Sequence, residues 1–107
     1  MISVNVTFIE HDIQSILIEG HANQNIHGKD IVCAGVSAIV YGSINAIDSI
    51  KKDAIAFQIK EGYTNIQVLT SSKEIQIMLQ MMLIQLQTME ESYGQYIKIK
   101  QTHGGVS

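Results

Sequence analysis

The sequence predicts an α+β fold: a single compact domain in ββαββαβ order, with a mostly antiparallel sheet and two helices. Apolar and polar residues alternate near the N-terminus, and a period of two is typical of a half-buried strand. Two longer apolar stretches instead repeat with a helical period. Because the 107 residues include no proline and no linker, we expect one domain over residues 1–101 and a flexible tail over 102–107.

The N-terminal half is predicted to form a hairpin followed by a helix. The strands cover residues 2–8 and 13–19, with a polar turn between them. A polar loop occupies residues 20–29, and loops of this length are often functional. Asp30 is a good N-cap, so we expect the first helix over residues 31–49.

The C-terminal half is predicted to add a second hairpin, a second helix and an edge strand. The hairpin spans residues 55–69. Ser71 is followed three residues later by Glu74, which matches a capping box, so the second helix begins there and runs to about residue 92. Residues 96–100 form the last strand, at an edge of the sheet.

Charge and cysteine content exclude several classes of protein. The net charge is −3, with seven lysines, ten acidic residues and no arginine. Because nucleic-acid-binding surfaces are rich in lysine and arginine, no nucleic-acid partner is expected. A single cysteine cannot form an internal disulfide, so no oxidising compartment is implied and we expect the protein in the cytoplasm.

The uncharged stretch over residues 31–47 leaves two interpretations open, a membrane span or a buried helix. It is at the short limit of the length that a span needs. Polar side chains also interrupt it, at Ser37, Tyr41, Ser43 and Asn45. These features favour a buried helix, and no membrane partner is expected.

Both helices carry surfaces that invite close packing. On the first, small residues at spacings of four let another backbone approach closely, so we expect this helix to pack tightly on a sheet or on a partner: Ala34, Ala38, Gly42 and Ala46. On the second, Ile77, Met81 and Ile84 form an apolar stripe in addition to the one that would face the sheet. A subunit interface explains this extra stripe; the alternative is that the methionines simply fill gaps in the core.

The lone cysteine, Cys33, is a candidate nucleophile. If Asp30 caps the helix, Cys33 occupies the third helical position, where free amides and the helix dipole favour a thiolate. His21, if its imidazole reaches the sulfur, can promote ionisation and protonate a leaving amine. The amide of Cys33 or Ala34 can then serve as an oxyanion hole. The spacing alone also leaves open a structural cysteine packed in the core.

A metal site is a further alternative. Zinc accepts the ligand types found at His21, His27, Asp30 and Cys33. The paired Cys-x-x-Cys and His-x₃₋₅-His spacings of zinc sites are missing, as are glycine-rich phosphate loops. We therefore expect neither a metal nor an organic cofactor.

The sequence around the candidate nucleophile resembles the ribosomal-processing cysteine protease family. The motif consists of Gly20-His21-Ala22 and Gly28-x-Asp30-Ile31-Val32-Cys33-Ala34-x-x-Ser37-Ala38. Further similarity lies in Gly42-Ser43-x-Asn45-Ala46 and in the second helix, so the resemblance spans essentially the whole domain. It favours cysteine-dependent catalysis over the structural and metal alternatives.

The resemblance implies a homodimeric cysteine endopeptidase that supports ribosome maturation. Its substrate would be the N-terminal extension of a large-subunit ribosomal protein (number twenty-seven of that subunit), cut after an aromatic and before a small residue. In the family pattern Cys33 is the nucleophile and His21 the general acid/base. The alternative is a non-catalytic, ribosome-associated module whose cleft holds a peptide without cutting it.

Further site residues are predicted around this pair. Asp30 and Ser37 match other motif positions; we expect Asp30 to cap the helix and Ser37 to support the sulfur or simply to pack. The loop over residues 22–28 is expected to close over bound peptide as a lid, and the peptide to add as a strand to a sheet edge. The expected substrate-binding residues are Ala22, Gly28, Ala34, Gly35 and Ala38.

Overall fold

Five strands and two helices follow one another in the predicted order. In the computed structural model the described residues are 1–20 and 27–104, with side chains described for 1–20 and 31–104. The elements are β1 (Ile2–Ile9), β2 (Asp12–Glu19), α1 (His27–Ile50), β3 (Ile55–Lys60), β4 (Tyr63–Val68), α2 (Lys73–Tyr93) and β5 (Ile97–Gly104). The predicted fold class and the ββαββαβ order are confirmed.

The strands form one mixed sheet in the order β3-β4-β2-β1-β5. The pairs β1–β2, β2–β4 and β3–β4 are antiparallel, and β5 lies parallel to β1. The sheet is therefore mostly antiparallel, as predicted, and β3 and β5 are its two edges.

The strand β5 extends beyond its predicted end. Residues 102–104 pair with residues 7–9 of β1, and the His103 ring stacks on Phe8 with the ring centroids 4.9 Å apart. The prediction of a loose tail is thus wrong for residues 102–104, because pairing with β1 supplies an order that their polar sequence does not indicate. Residues 105–107 lie outside the described part of the chain.

The core lies between one face of the sheet and the two helices. Buried residues alternate along the central strands, for example Val4 and Val6 on β1 and Ile16 and Ile18 on β2. The helices contribute one stripe each: Val32, Val36, Val40, Ile44 and Ile47 from α1, and Ile75, Leu79, Met82, Leu83 and Leu86 from α2. This arrangement explains the period of two in the strands, because their other face carries mainly polar side chains.

The helix α1 begins earlier than predicted. It starts at His27, so Asp30 lies within its first turn rather than before it. The prediction that Asp30 is the N-cap is therefore wrong, since a cap residue precedes the helical segment.

The helix α1 is also long and apolar enough, over Ile31–Ile50, to cross a membrane by length and composition alone. A core helix of a soluble protein meets the same criterion. Here the Val and Ile stripe of α1 packs in the core, whereas most of the remaining surface of the helix is open.

The start of α2 is set by a different serine from the predicted one. Ser72 is the N-cap, and its Oγ accepts a hydrogen bond from the Ile75 amide at 3.2 Å. Ser71 instead shares a 3.0 Å hydrogen bond with the Gln76 side chain. The predicted helix is present, but its capping residue is shifted by one position.

Candidate active site

The candidate nucleophile lies near the start of α1. Cys33 is the seventh residue of the helix, carries a free thiol and is partly buried against the core. Ser37 follows one turn later on the same side of the helix and is also partly buried. Cys33 and Ser37, which both belong to the motif, therefore share one flank of α1.

The early start of α1 changes the expected environment of the thiol. A residue two turns into a helix has an amide that is bonded within the helix, because only the first four amides are free. The prediction that the amide of Cys33 or Ala34 forms an oxyanion hole is therefore wrong. The dipole argument is weakened in the same way, since that effect falls off beyond the first turn.

Gly20 is the residue at which the chain leaves β2, directly before the candidate histidine of the motif. Its amide donates a 3.0 Å hydrogen bond to the Gly62 carbonyl, in the turn between β3 and β4. Its φ is +121°, and a Cβ at this position would overlap the Met1 carbonyl. Only glycine fits both conditions. The end of β2 is consequently joined to the β3–β4 turn.

Several predicted site residues lie outside the described part of the chain. These are His21 and Ala22, together with the side chains at positions 28 and 30. The role of His21 and the lid over residues 22–28 stay predictions. The metal alternative is not tested, because the side chains of His21, His27 and Asp30 all lie outside the described part of the chain.

The three predicted groove residues do not share one surface with the sulfur. Gly35 faces α2, where the Met89 methyl lies 2.7 Å from the place that a Cβ would take. Ala34 and Ala38 are exposed. Successive residues of a helix are about 100° apart, so Cys33 and Gly35 point to nearly opposite flanks. The substrate-binding role of the three residues stays a prediction, with only Ala34 and Ala38 open to solvent.

The contacts of Gly20 could not be found from local sequence. Its partners are Gly62 and Met1, which are far away along the chain. A glycine directly before a candidate histidine was the available signal, but it did not indicate which groups the backbone approaches. The tertiary structure shows that the glycine of the motif has a structural role at the exit of β2.

A partly accessible thiol on a helix flank can support nucleophilic acyl transfer when a histidine lies within its reach. Comparison with known proteins identifies the group to which this arrangement belongs. Residues 1–98 match the family described as Cysteine protease Prp. The chain belongs to the Prp family of cysteine proteases. The family resemblance and the prediction of a cysteine protease are both confirmed.

The similarity to Prp proteins extends over more than nine-tenths of the chain. The ribosomal processing cysteine protease Prp of Staphylococcus aureus (strain Mu50 / ATCC 700699) is 39% identical over 103 residues, which cover 92% of this chain and 97% of the relative. A crystal structure of the essential ribosomal processing protease Prp from S. aureus with a substrate peptide has a TM-score of 0.87 and 34% identity, and covers 95% of this chain and 100% of that one.

A second S. aureus Prp structure contains a covalently linked product peptide. Its TM-score to this chain is 0.85 at 36% identity, again with 95% of this chain and 100% of the other covered. The relative therefore forms a covalent bond to peptide within the same fold.

Proposed function

We propose that this chain is a ribosomal processing endopeptidase whose nucleophile is Cys33. The observation that carries the proposal is that a cysteine protease needs a reactive cysteine and this chain has one. The covalently linked product peptide of the S. aureus relative supports chemistry through a covalent intermediate.

The proposed reaction has two steps. The Cys33 thiolate attacks the scissile carbonyl carbon, the C–N bond breaks, and the His21 imidazolium gives its proton to the departing amine. Water then attacks the thioester carbon while His21 takes up a proton, and the C–S bond breaks to release the acid and the thiolate. The position of His21 directly after the anchored Gly20 supports this role.

The proposed substrate is the N-terminal extension of large-subunit ribosomal protein number twenty-seven, cut in the cytoplasm. The curated relative is itself a ribosomal processing protease, which supports a ribosomal protein as substrate. No metal or organic cofactor takes part in the proposed chemistry, because a thiolate and an imidazole complete both steps.

The proposed enzyme is a homodimer. Its interface would use the apolar stripe of α2, where Ile77, Met81 and Ile84 are 59%, 65% and 53% exposed. These residues line an open groove of about 780 Å³ beside α2. Met81 also borders a groove of about 270 Å³ against the exposed small row of α1, including Ala38, Gly42 and Ala46. The apolar stripe of α2 and the small row of α1 are thus continuous.

Incubation of the purified protein with the extended ribosomal protein tests the proposed activity. Cys33→Ala is expected to lower kcat by about 10³-fold or more, because it removes the nucleophile. His21→Ala is expected to lower kcat by about 10²–10⁴-fold, through loss of proton transfer. Mass spectrometry of the product identifies the cut.

His11→Ala is the matched control, since His11 lies exposed in the β1–β2 turn. It should cleave at the wild-type rate. Binding of the extension without cleavage by wild-type protein would instead establish the non-catalytic peptide-binding module, and full activity of Cys33→Ala would exclude the proposed mechanism.

A further inference from the structure

The edge strand β3 leaves part of the core-facing side of the sheet uncovered. Among the residues of β3 that project toward the helix-bearing face of the sheet, Ile55 is 4% exposed, whereas Phe57 and Ile59 are 45% and 44% exposed. Phe57 pairs with Ile66 and Ile59 with Thr64, and both partners are buried. Directly opposed residues of antiparallel strands project to the same face, so Phe57 and Ile59 are on the face that carries the helices. They form an apolar shelf, residues 57 and 59, that the helices do not cover.

The shelf is at the end of the sheet where β2 ends, next to Gly20. Lys60 at the end of β3 pairs with Tyr63, which in turn pairs with Glu19 at the end of β2. The bond between Gly20 and Gly62 lies at this same end. Since α1 runs from here back toward Ile55, its N-terminal half, with Cys33, lies at the shelf end of β3.

Cys33 is also on the flank of α1 that is turned toward β3. The opposite flank faces α2, as the packing of Gly35 against Met89 shows. Across the sheet, α2 lies against β5 and β2 while α1 contacts β3. At about 100° per residue, Cys33 lies between the sheet-facing stripe and the flank away from α2. The thiol and the apolar shelf therefore lie on the same side of α1, the side away from α2.

The two sheet edges differ in how open their backbones are. On β5, the Ile99 amide donates a 2.8 Å hydrogen bond to the Glu90 carboxylate. For β3, no side chain within the described parts of the chain hydrogen-bonds to its backbone. An extended peptide therefore finds free donors and acceptors along β3, beside the shelf.

We infer that the apolar shelf, Phe57 and Ile59, is a specificity-determining subsite for an extended peptide that pairs with β3 beside Cys33. Side chains two apart on a strand lie about 6.6 Å apart on one face, so the shelf takes two apolar substrate side chains in alternate positions. The inference rests on the proposed function, and substrate and product peptides bound to the S. aureus relative support a peptide as the occupant.

Peptide binding to the Cys33→Ala protein tests the subsite separately from catalysis. The probe is a fluorescent synthetic peptide that spans the junction of the extension and the mature ribosomal protein. Adding Phe57→Ser or Ile59→Ser should weaken binding by about tenfold each, as expected for loss of apolar contact area. Gln58→Ser, on the opposite face of β3, is the matched control and should bind normally.

A serine scan of the peptide gives an independent readout. Affinity losses should recur at every second position near the cut, and the Phe57→Ser protein should no longer distinguish those positions. In the otherwise wild-type enzyme, Phe57→Ser should raise KM more than it lowers kcat, while alkylation of Cys33 by iodoacetamide keeps its rate. Thermal melts show whether each variant is folded.

The outcomes separate this inference from the proposed function. Cleavage by wild type with undiminished affinity in folded Phe57→Ser and Ile59→Ser overturns the subsite alone. Peptide binding that depends on the shelf, without any cleavage, supports the subsite and overturns the proposed enzyme. The subsite is wrong if the peptide fails to bind at all. It is also wrong if the shelf variants change only the oligomeric state, and β3 would then pair with a second copy of the chain.

Discussion

At the scale of single residues, Gly20 has a backbone conformation and a close contact that only glycine allows, directly before the candidate residue His21 in the sequence. The positive φ and the close approach of the Met1 carbonyl leave no room for a side chain, while the amide is used to hold the Gly62 carbonyl. The glycine therefore joins the end of β2 to the β3–β4 turn by a hydrogen bond and lies close to the Met1 backbone.

Gly20→Ala should lower the free energy of unfolding by about 1–3 kcal/mol. The reason is backbone strain at a φ that alanine rarely adopts, together with the overlap with Met1. Urea denaturation measures the change, and a loss of protease activity under native conditions should accompany it.

Gly104→Ala is the matched control for this prediction. A Cβ there would lie 3.9 Å from the nearest atom, the Phe8 carbonyl oxygen, which is ordinary contact. Its effect should stay within about 1 kcal/mol. Equal stability of the Gly20→Ala and Gly104→Ala proteins would refute the role assigned to Gly20.

At the scale of elements, the start of α2 is joined to β2 by a small network. Gln76 accepts from the Ile13 amide at 2.8 Å and donates to the Ile13 carbonyl at 3.0 Å, so its side chain completes the backbone bonding of β2. The Ser71 Oγ accepts a second hydrogen bond from the Gln76 side-chain amide. Ser72 is then the residue left to cap the helix. A neighbouring strand thus determines which of two adjacent serines has which role.

Ser72→Ala should destabilise the protein by about 1 kcal/mol through loss of the bond to the Ile75 amide. Ser71→Ala should have a smaller effect, because its bond to Gln76 is exposed. Thermal or urea unfolding compares the two variants directly. A larger effect for Ser71→Ala would restore the capping box that the sequence predicts.

At the scale of the whole molecule, the two helices share one face of the sheet and leave two apolar surfaces open. One is the stripe of α2 with the small row of α1, and the other is the apolar shelf on β3. The two surfaces lie on opposite flanks of α1, because α2 packs against only one flank of that helix. The proposed dimer interface and the proposed peptide subsite therefore lie on different sides of α1 and would not compete for the same surface.

Met81→Lys should convert the proposed dimer to a monomer, because a charge would be buried at the centre of the α2 stripe. Sedimentation velocity or light scattering measures the mass. Leu69→Lys is the matched control: Leu69 is a comparably exposed apolar residue outside the stripe, and the variant should keep the wild-type mass. A monomeric wild type, or a dimeric Met81→Lys, would exclude this interface.

The sequence by itself determined the order of elements, the edge position of β5 and the family, because periodicity and the motif around Cys33 are local properties. Helix ends, the cap at Ser72 and the fate of residues 102–104 depended on competing groups in other segments, which only the tertiary structure brings together. The same holds for the site. The motif pointed to Cys33 and Gly20 as residues, but the flank of α1 that carries the thiol and the uncovered part of β3 are properties of packing, decided by where α2 comes to lie.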